Sequence, residues 1–363
     1  MRNNKPIYVI AEIGVNHNGS IPLAKELILK SKKCGANAVK FQTYKTDNIC
    51  DIHTEKAKYQ TKYNKKESQY KMLKKYELSI NDFILLKKFS EKNNIDFLTT
   101  AADVESLNSI NKSLKLQTIK VGSSDLSNIQ LLLHLGKSKK KIILSCGMST
   151  LKDIDVALSA LSYGYTNKNM NFNINKHLSL YKKNKKYLNK NITLLHCTTE
   201  YPAPLNELNL HAISTLENRY KINIGYSDHS HNLLTPVVAA AKGISMIEVH
   251  VTKSHSLAGP DHKSSLNFPE LKIYINNLRK AELMLGSYNK IVTSSEKNNK
   301  KYVTKRLFFK KIIKKGQLIT DTHLACKRSL GGILSSQYPQ IINKKITKNF
   351  KKDSKVNLKY IGK

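Results

Sequence analysis

Short apolar runs alternate with longer amphipathic stretches along most of the chain. Runs at 7–13, 38–42, 95–99, 118–121, 141–145, 192–196, 222–225 and 246–250 predict β-strands. Helix-period segments follow each run, beginning near Ile21, Asn81, Val104, Asn128, Leu151, Asn206, Asn232 and Phe268. Strands alternating with helices imply a parallel sheet, and eight such units predict an α/β fold, a (β/α)8 TIM barrel. An open doubly wound sheet is the other arrangement. Its Gly-rich dinucleotide fingerprint is missing after the first run, where the sequence reads EIGVNHNG.

Two stretches interrupt the pattern. Residues 48–78 form a long polar loop between the second strand and its helix, on the side where barrels build active sites. Residues 164–191 are rich in Lys and Asn and read as a solvated surface insertion on the opposite side. The barrel pattern spans 1–286. Residues 287–304 are polar and Lys-rich and read as a linker. Residues 305–363, with KRLFFKKIIKKGQLIT and KVNLKYIG, predict a small β-rich domain. Gly316 falls in a turn and Gly331-Gly332 in a loop. A unit of that size is marginal alone, so it is expected to pack against a barrel.

Composition narrows the classes. Of 363 residues, 40% are hydrophobic, enough for a substantial core, so wholesale disorder is excluded. No apolar run approaches the roughly 18–20 residues of a membrane helix, so no membrane association is expected. The N-terminal apolar stretch is short, is broken by Glu12 and precedes no small-residue cleavage site, so a cytoplasmic protein is expected. The formal net charge is +36, from 62 Lys+Arg against 26 Asp+Glu. Only Arg2, Arg219, Arg279, Arg306 and Arg328 are arginines. Nucleic-acid readers favour Arg for bidentate contacts, so the Lys excess, accompanied by Asn and Ile, reads better as compositional bias. Cys34, Cys50, Cys146, Cys197 and Cys326 are widely spaced and form no CxxC pair. That argues against a disulfide framework or thiolate zinc site.

Barrel chemistry gathers where strands end at their C-termini. Those positions hold Glu12, Lys40 and Gln42, Thr100, Lys120 with Ser123 and Asp125, Ser145, Tyr201, Ser227 with His229, and Glu248 with His250. Lys40 and Lys120 among hydroxyls from Thr100, Ser123, Ser145 and Ser227 suit a small molecule bearing phosphate and carboxylate. His229 and His250 end adjacent strands and could hold a divalent metal with open positions, or could be satisfied structural groups. Glu12 lies in an apolar run, where a buried carboxylate needs a partner. It could contact a hydroxyl, transfer a proton, or form a salt bridge inside the barrel, for instance to Lys40.

These residues lie in a series of motifs: AEIGVNHNG (11–19), AVKFQTYK (38–45), KVGSSDLSN (120–128), LSCGMST (144–150), HCTTEYPAP (196–204), IGYSDHS (224–230), EVHVT (248–252) and GPDHKSSL (259–266). In this order they resemble the sialic acid synthases. The C-terminal KKIIKKGQLITDTHLACKR resembles that family's antifreeze-like (SAF) domain, a β-clip module. The likeness covers nearly the whole chain except 164–191.

The resemblance implies an N-acetylneuraminate synthase. Such an enzyme condenses phosphoenolpyruvate with the open-chain aldehyde of an N-acetylmannosamine-type sugar and releases phosphate by C–O cleavage. The alternative within the same chemistry is a legionaminic or pseudaminic acid synthase using a 2,4-diacetamido-2,4,6-trideoxyhexose. A divalent metal, usually Mn2+ with Mg2+ or Co2+ as substitutes, would polarise the aldehyde from His229 and His250. Lys40, Thr100, Lys120, Ser123, Ser145 and Ser227 would hold phosphoenolpyruvate. Gln42, Asn64, Asp125, Tyr201 and Asp261 would meet the sugar, and Glu12 would contact it and move a proton. Arg328 would reach the sugar's N-acetyl group from a partner subunit, which implies a domain-swapped homodimer. Some positions depart from the family pattern. Asp125 stands where Glu is frequent, Ser329 where Pro is usual, Cys146 for a common Thr and Thr199 for a common Asn, so the sugar's identity stays open.

Two other classes stand beside this. A Schiff-base aldolase would use Lys40 or Lys120 as nucleophile with pyruvate and no metal. A nucleic-acid binder would follow from charge alone, but no recognised motif or aromatic platform supports it.

Overall fold

The structure is a computed structural model that describes residues 5–57, 67–167 and 169–362. Eight parallel strands close into a barrel in sequence order: β1 (Tyr8–Gly14), β2 (Ala38–Thr43), β3 (Asp96–Ala101), β4 (Thr118–Val121), β5 (Lys141–Ser145), β6 (Ile192–Cys197), β7 (Asn223–Asp228) and β8 (Met246–His250). The ring is completed by β1 pairing with β8, so Glu12 lies beside both Lys40 and His250. Eight helices wrap it: α1 (Ile21–Cys34), α2 (Ile80–Lys92), α3 (Val104–Ser109), α4 (Ile129–Ser138), α5 (Leu151–Thr166), α6 (His211–Tyr220), α7 (Thr235–Ala241) and α8 (Phe268–Leu285). The (β/α)8 barrel expected from the repeat is therefore present.

Alternation along each strand divides the residues into two sets. Val9, Ala11, Val39, Phe41, Ile119, Val121, Ile247 and Val249 face the helices and belong to the main core. Ile10, Ala38, Leu98, Ile143 and Leu195 point inward and form a separate apolar plug with Tyr8 and Met246. The next inward residues up β1, β2, β5 and β8 are Glu12, Lys40, Ser145 and Glu248. Polar groups thus begin where the plug ends. Gly225, on β7, faces the plug; a Cβ there would lie 2.5 Å from Leu195 Cδ2 and 2.7 Å from Met246 Cγ.

Local signals set the helix starts. α2, α5 and α8 each begin with a reciprocal capping box, Ser79–Asp82, Thr150–Asp153 and Asn267–Glu270. α4 and α5 approach through two glycines. A Cβ on Gly136 would lie 2.5 Å from Leu161 O and 2.8 Å from Gly164 Cα.

Three expectations need correction. The polar stretch after β2 contains short helices at Thr46–Ile49 and Gln69–Tyr76, the second burying Met72 and Tyr76. The stretch at 164–191 is not simply a solvated insertion. Gly164 belongs to α5, and three short helices follow, burying Tyr181 and Leu188 against the main core. The expected linker contains a further helix, α9 (Ser294–Val303), opened by Thr293 and Glu296. It has no buried residue, which is why no apolar period marks it.

The chain divides into two compact units, one ending at Gly286 and the other beginning at Ser287. The second holds an antiparallel pair, β9 (Lys305–Phe309) and β10 (Leu324–Arg328), over its own core of Leu307, Phe309, Ile313, Ile319, Ile341, Ile346 and Val356. Among the described residues, no helix is long and apolar enough to cross a membrane.

The Gly136–Gly164 approach leaves no room for a methyl group. Gly136→Ala should destabilise the barrel by about 1–3 kcal/mol through overpacking, read as a lower denaturant midpoint. An unchanged midpoint would contradict the close approach.

Candidate active site

The upper end of the barrel holds four buried charged side chains. Lys40 Nζ lies 2.7 Å from Glu12 Oε2 and 3.8 Å from Glu248 Oε2. Lys120 Nζ lies 3.8 Å from Glu248 Oε1 and donates to Ser145 Oγ at 2.6 Å. All four are at most 4% exposed. The salt bridge between Glu12 and Lys40, one of the alternatives left open by the sequence, is therefore formed. Burial pushes the Glu12 carboxyl above the usual carboxylate range, against the pull of Lys40. Glu248 is also buried, but Lys120 and Lys40 together hold it below that range. Lys120 is lowered by burial, whereas at Lys40 the two carboxylates outweigh burial and raise it.

Hydroxyls surround the two ammonium groups. Thr100 Oγ1 lies 3.4 Å from Lys40 Nζ, and Ser227 Oγ donates to Glu248 Oε1 at 3.1 Å. Ser123 Oγ accepts from Gly147 N–H at 3.0 Å and lies 3.1 Å from Cys197 Sγ. Gln42 Nε2 donates to Glu12 Oε1 at 2.9 Å. That contact depends on an irregularity in β1. The register slips between Glu12 and Gly14, and Gly14 takes φ +53°. A Cβ there would stand 3.1 Å from both Gln42 Nε2 and Glu12 Oε1.

Beside the charges lie two histidines. The His229 and His250 rings are 5.5 Å apart, and Tyr201 stacks on His229 at 4.3 Å. His229 Nδ1 lies 2.7 Å from Thr198 O, which fixes the proton on that nitrogen and turns the Nε2 lone pair inward. Nε2 has Tyr201 Oη and Ser227 Oγ each at 3.3 Å. His250 Nδ1 is buried without a hydrogen-bond partner among the described residues, 3.7 Å from Asp261 Oδ2. Burial lowers His229 to about 4 and His250 well below its ordinary value, so both rings are neutral near pH 7. Neutral, oriented imidazoles with a carboxylate nearby are a donor set that fits a divalent metal. Burial raises Asp261 to about 6.

The barrel therefore brings together Glu12, Lys40, Gln42, Thr100, Lys120, Ser145, Tyr201, Ser227, His229, His250 and Asp261, with Ser123 at its edge. Asp125 lines a polar cavity of about 440 Å3 with Asn48, Asp103, Glu105, Asn128 and Gln130. Burial raises it to about 6. Arg328 is exposed on β10 of the second unit. Asn64 lies outside the described residues. Glu248 is the central group to which the sequence reading gave no role. Its place two residues before His250 in an alternating strand puts both inside, and that period was the available signal. A further group could take a metal ion: His231, His255 and Glu270 bring their donor atoms within 4.8 Å of one another.

The model of the NeuB family matches residues 27–290. A curated relative, the N,N'-diacetyllegionaminic acid synthase of Campylobacter jejuni, is 39% identical over 96% of this chain and 98% of its own. The chain belongs to the NeuB family. As a NeuB-family member it is a nonulosonic acid synthase. The N,N'-diacetyllegionaminic acid synthase of Legionella pneumophila is 36% identical over 94% of this chain and 91% of its own. Among solved structures, the N-acetylneuraminic acid synthetase of Leptospira borgpetersenii in complex with citrate aligns with a TM-score of 0.67 and 31% identity. It covers 82% of this chain and 91% of its own.

In this NeuB-family barrel, Glu248 faces both buried lysines. Glu248→Gln should cost about 3–5 kcal/mol, because removing one partner leaves charge uncompensated. Inorganic phosphate should recover part of the loss by binding the folded state. Melting curves with and without phosphate check this; wild-type stability in the variant would contradict the pairing.

Proposed function

We propose that this NeuB-family chain condenses phosphoenolpyruvate with the open-chain aldehyde of a 2,4-diacetamido-2,4,6-trideoxyhexose, yielding a legionaminic acid and inorganic phosphate. The observation that carries the reaction class is the pair of buried ammonium groups, Lys40 and Lys120, ringed by hydroxyls beneath two neutral histidines. The choice of sugar rests on relatedness. Both legionaminic acid synthases exceed the solved N-acetylneuraminic acid synthetase in identity to this chain. That favours the diacetamido sugar over the N-acetylmannosamine expected first from the sequence.

In this reading Lys40 and Lys120 neutralise the phosphate and carboxylate of phosphoenolpyruvate, with Thr100, Ser123, Ser145 and Ser227 donating to their oxygens. His229 and His250 hold a divalent metal, Mn2+ being the first candidate, which when bound supplies Lewis acidity to the sugar's carbonyl. C3 of phosphoenolpyruvate attacks the aldehyde carbon, water adds at C2, and phosphate leaves by C–O cleavage. Glu12, raised by burial and anchored by Gln42, is suited to holding or passing a proton at the new hydroxyl. Gln42, Asp125, Tyr201 and Asp261 are assigned to the sugar, as is Asn64, which lies outside the described residues. Arg328 completes the site from the second unit of a partner subunit in a domain-swapped dimer, that unit being an SAF-type module. Its planar fork suits an acetamido oxygen.

A phosphate-release assay with a small sugar panel tests the proposal. The diacetamido sugar should be turned over faster than N-acetylmannosamine, only with phosphoenolpyruvate, and chelation should stop the reaction until Mn2+ is restored. Faster turnover of N-acetylmannosamine would return the assignment to a sialic acid synthase, and turnover that survives EDTA would remove the metal. Arg328→Ala should raise the sugar KM far more than the phosphoenolpyruvate KM; equal effects would argue against a sugar contact.

A further inference from the structure

A second histidine pair lies on the same face of the barrel, on residues the proposed reaction does not use. His231 is in the loop after β7, His255 in the loop after β8, and Glu270 in the first turn of α8. Glu270 Oε2 lies 3.1 Å from His255 Nε2 and 3.4 Å from His231 Nε2. The imidazole rings are 5.1 Å apart at 66°. A tetrahedral zinc ion with bonds near 2.0–2.1 Å holds neighbouring donor atoms about 3.3 Å apart. Two edges of that polyhedron are therefore nearly preformed, and the third donor pair lies within 4.8 Å.

We propose that His231, His255 and Glu270 form a second divalent-metal site, of a zinc-like borderline metal, distinct from the His229–His250 pair. Two imidazoles and one carboxylate are a nitrogen-rich set that selects Zn2+ and its neighbours over Mg2+ or Ca2+. Glu270 is held in place before any ion arrives, because its Oε2 accepts the Asn267 N–H at 2.8 Å in the α8 capping box. His231 is presented by a left-handed backbone, φ +51°. The side chains are 27%, 34% and 29% exposed, so an ion can reach them and a fourth position stays open to water. His255 Nε2 also lies 3.0 Å from Ser265 O, a contact that binding exchanges for the metal.

The ion would cross-link three segments, the loops after β7 and β8 and the first turn of α8. One of them is the loop after β8, which carries Asp261 to within 3.7 Å of His250. That loop is already tied to the loop after β1, where His262 bridges Thr252 Oγ1 at 2.7 Å and Asn18 Oδ1 at 3.1 Å. A metal at the His231 end fastens its other flank to α8. The site is structural in this account and independent of which sugar is used.

The test measures Zn2+ binding to the EDTA-treated full-length chain by calorimetry and by metal analysis after desalting. His250→Ala serves as the background, so that the pair beside it does not contribute. That background should retain one equivalent of Zn2+ and show a higher melting temperature with Zn2+ than without. Adding His255→Gln or Glu270→Gln should abolish both effects; Gln at 270 still caps α8, so loss of binding there is not loss of the helix. Co2+ in the same background should give the visible absorption of a tetrahedral site, which the second substitution removes. Undiminished Zn2+ binding in both double variants, or no binding in the His250→Ala background, overturns the site. Either result leaves the phosphate-release assay of the main reaction to stand or fall on its own.

Discussion

Four ionisable side chains without bulk water must neutralise one another, and the barrel register makes that possible. Glu12, Lys40, Lys120 and Glu248 all face inward because they fall on the same parity of strands whose other residues feed the outer core. A one-residue slip in β1 or β8 would send a carboxylate into the helix layer and leave an ammonium group unpaired, a cost of several kcal/mol. The cluster therefore constrains strand register as strongly as the plug beneath it does. It also leaves the two lysines unequal. Lys40 is clamped by two carboxylates, while Lys120 shares one and relies on Ser145 and a backbone carbonyl. An incoming dianion would meet one firmly charged group and one that gains a partner by binding.

Much of this was legible in the chain. Period-two apolar runs separated by helix-period segments determine a closed eight-fold repeat, and polar residues at strand ends determine which end carries chemistry. Strand lengths were less legible. β3 runs on to Ala101 and β7 to Asp228, beyond the expected ends at 99 and 225, because Thr100, Ser227 and Asp228 look like turn residues in isolation. The short helices after α5 were hidden by a Lys- and Asn-rich composition around the two side chains that matter, Tyr181 and Leu188. The group at His231, His255 and Glu270 was not legible at all. Its members lie in different segments, and only the turn after β7 and the start of α8 bring them together.

The large positive charge looks different beside the site. The lysines inside the barrel are matched by carboxylates, so the cluster contributes almost nothing to the +36 of the chain. The excess lies elsewhere, on positions such as Lys297, Lys300 and Lys301 of the fully exposed α9. Charge at that scale affects solubility and the approach of anions in general. It carries no information about which anion is chosen; that falls to the handful of groups at the strand ends.

The apolar plug has a further consequence. Ile10, Ala38, Leu98, Ile143 and Leu195 close the barrel from below, with Gly225 leaving no gap between Leu195 and Met246. The interior is thus a well with one mouth. Whatever settles against Lys40 and Lys120 lies at the bottom, and a second molecule placed above it blocks its way out. Arrival and departure are coupled by shape alone: the deeper guest goes in first and leaves last, unless a reaction divides it and frees a fragment small enough to slip past.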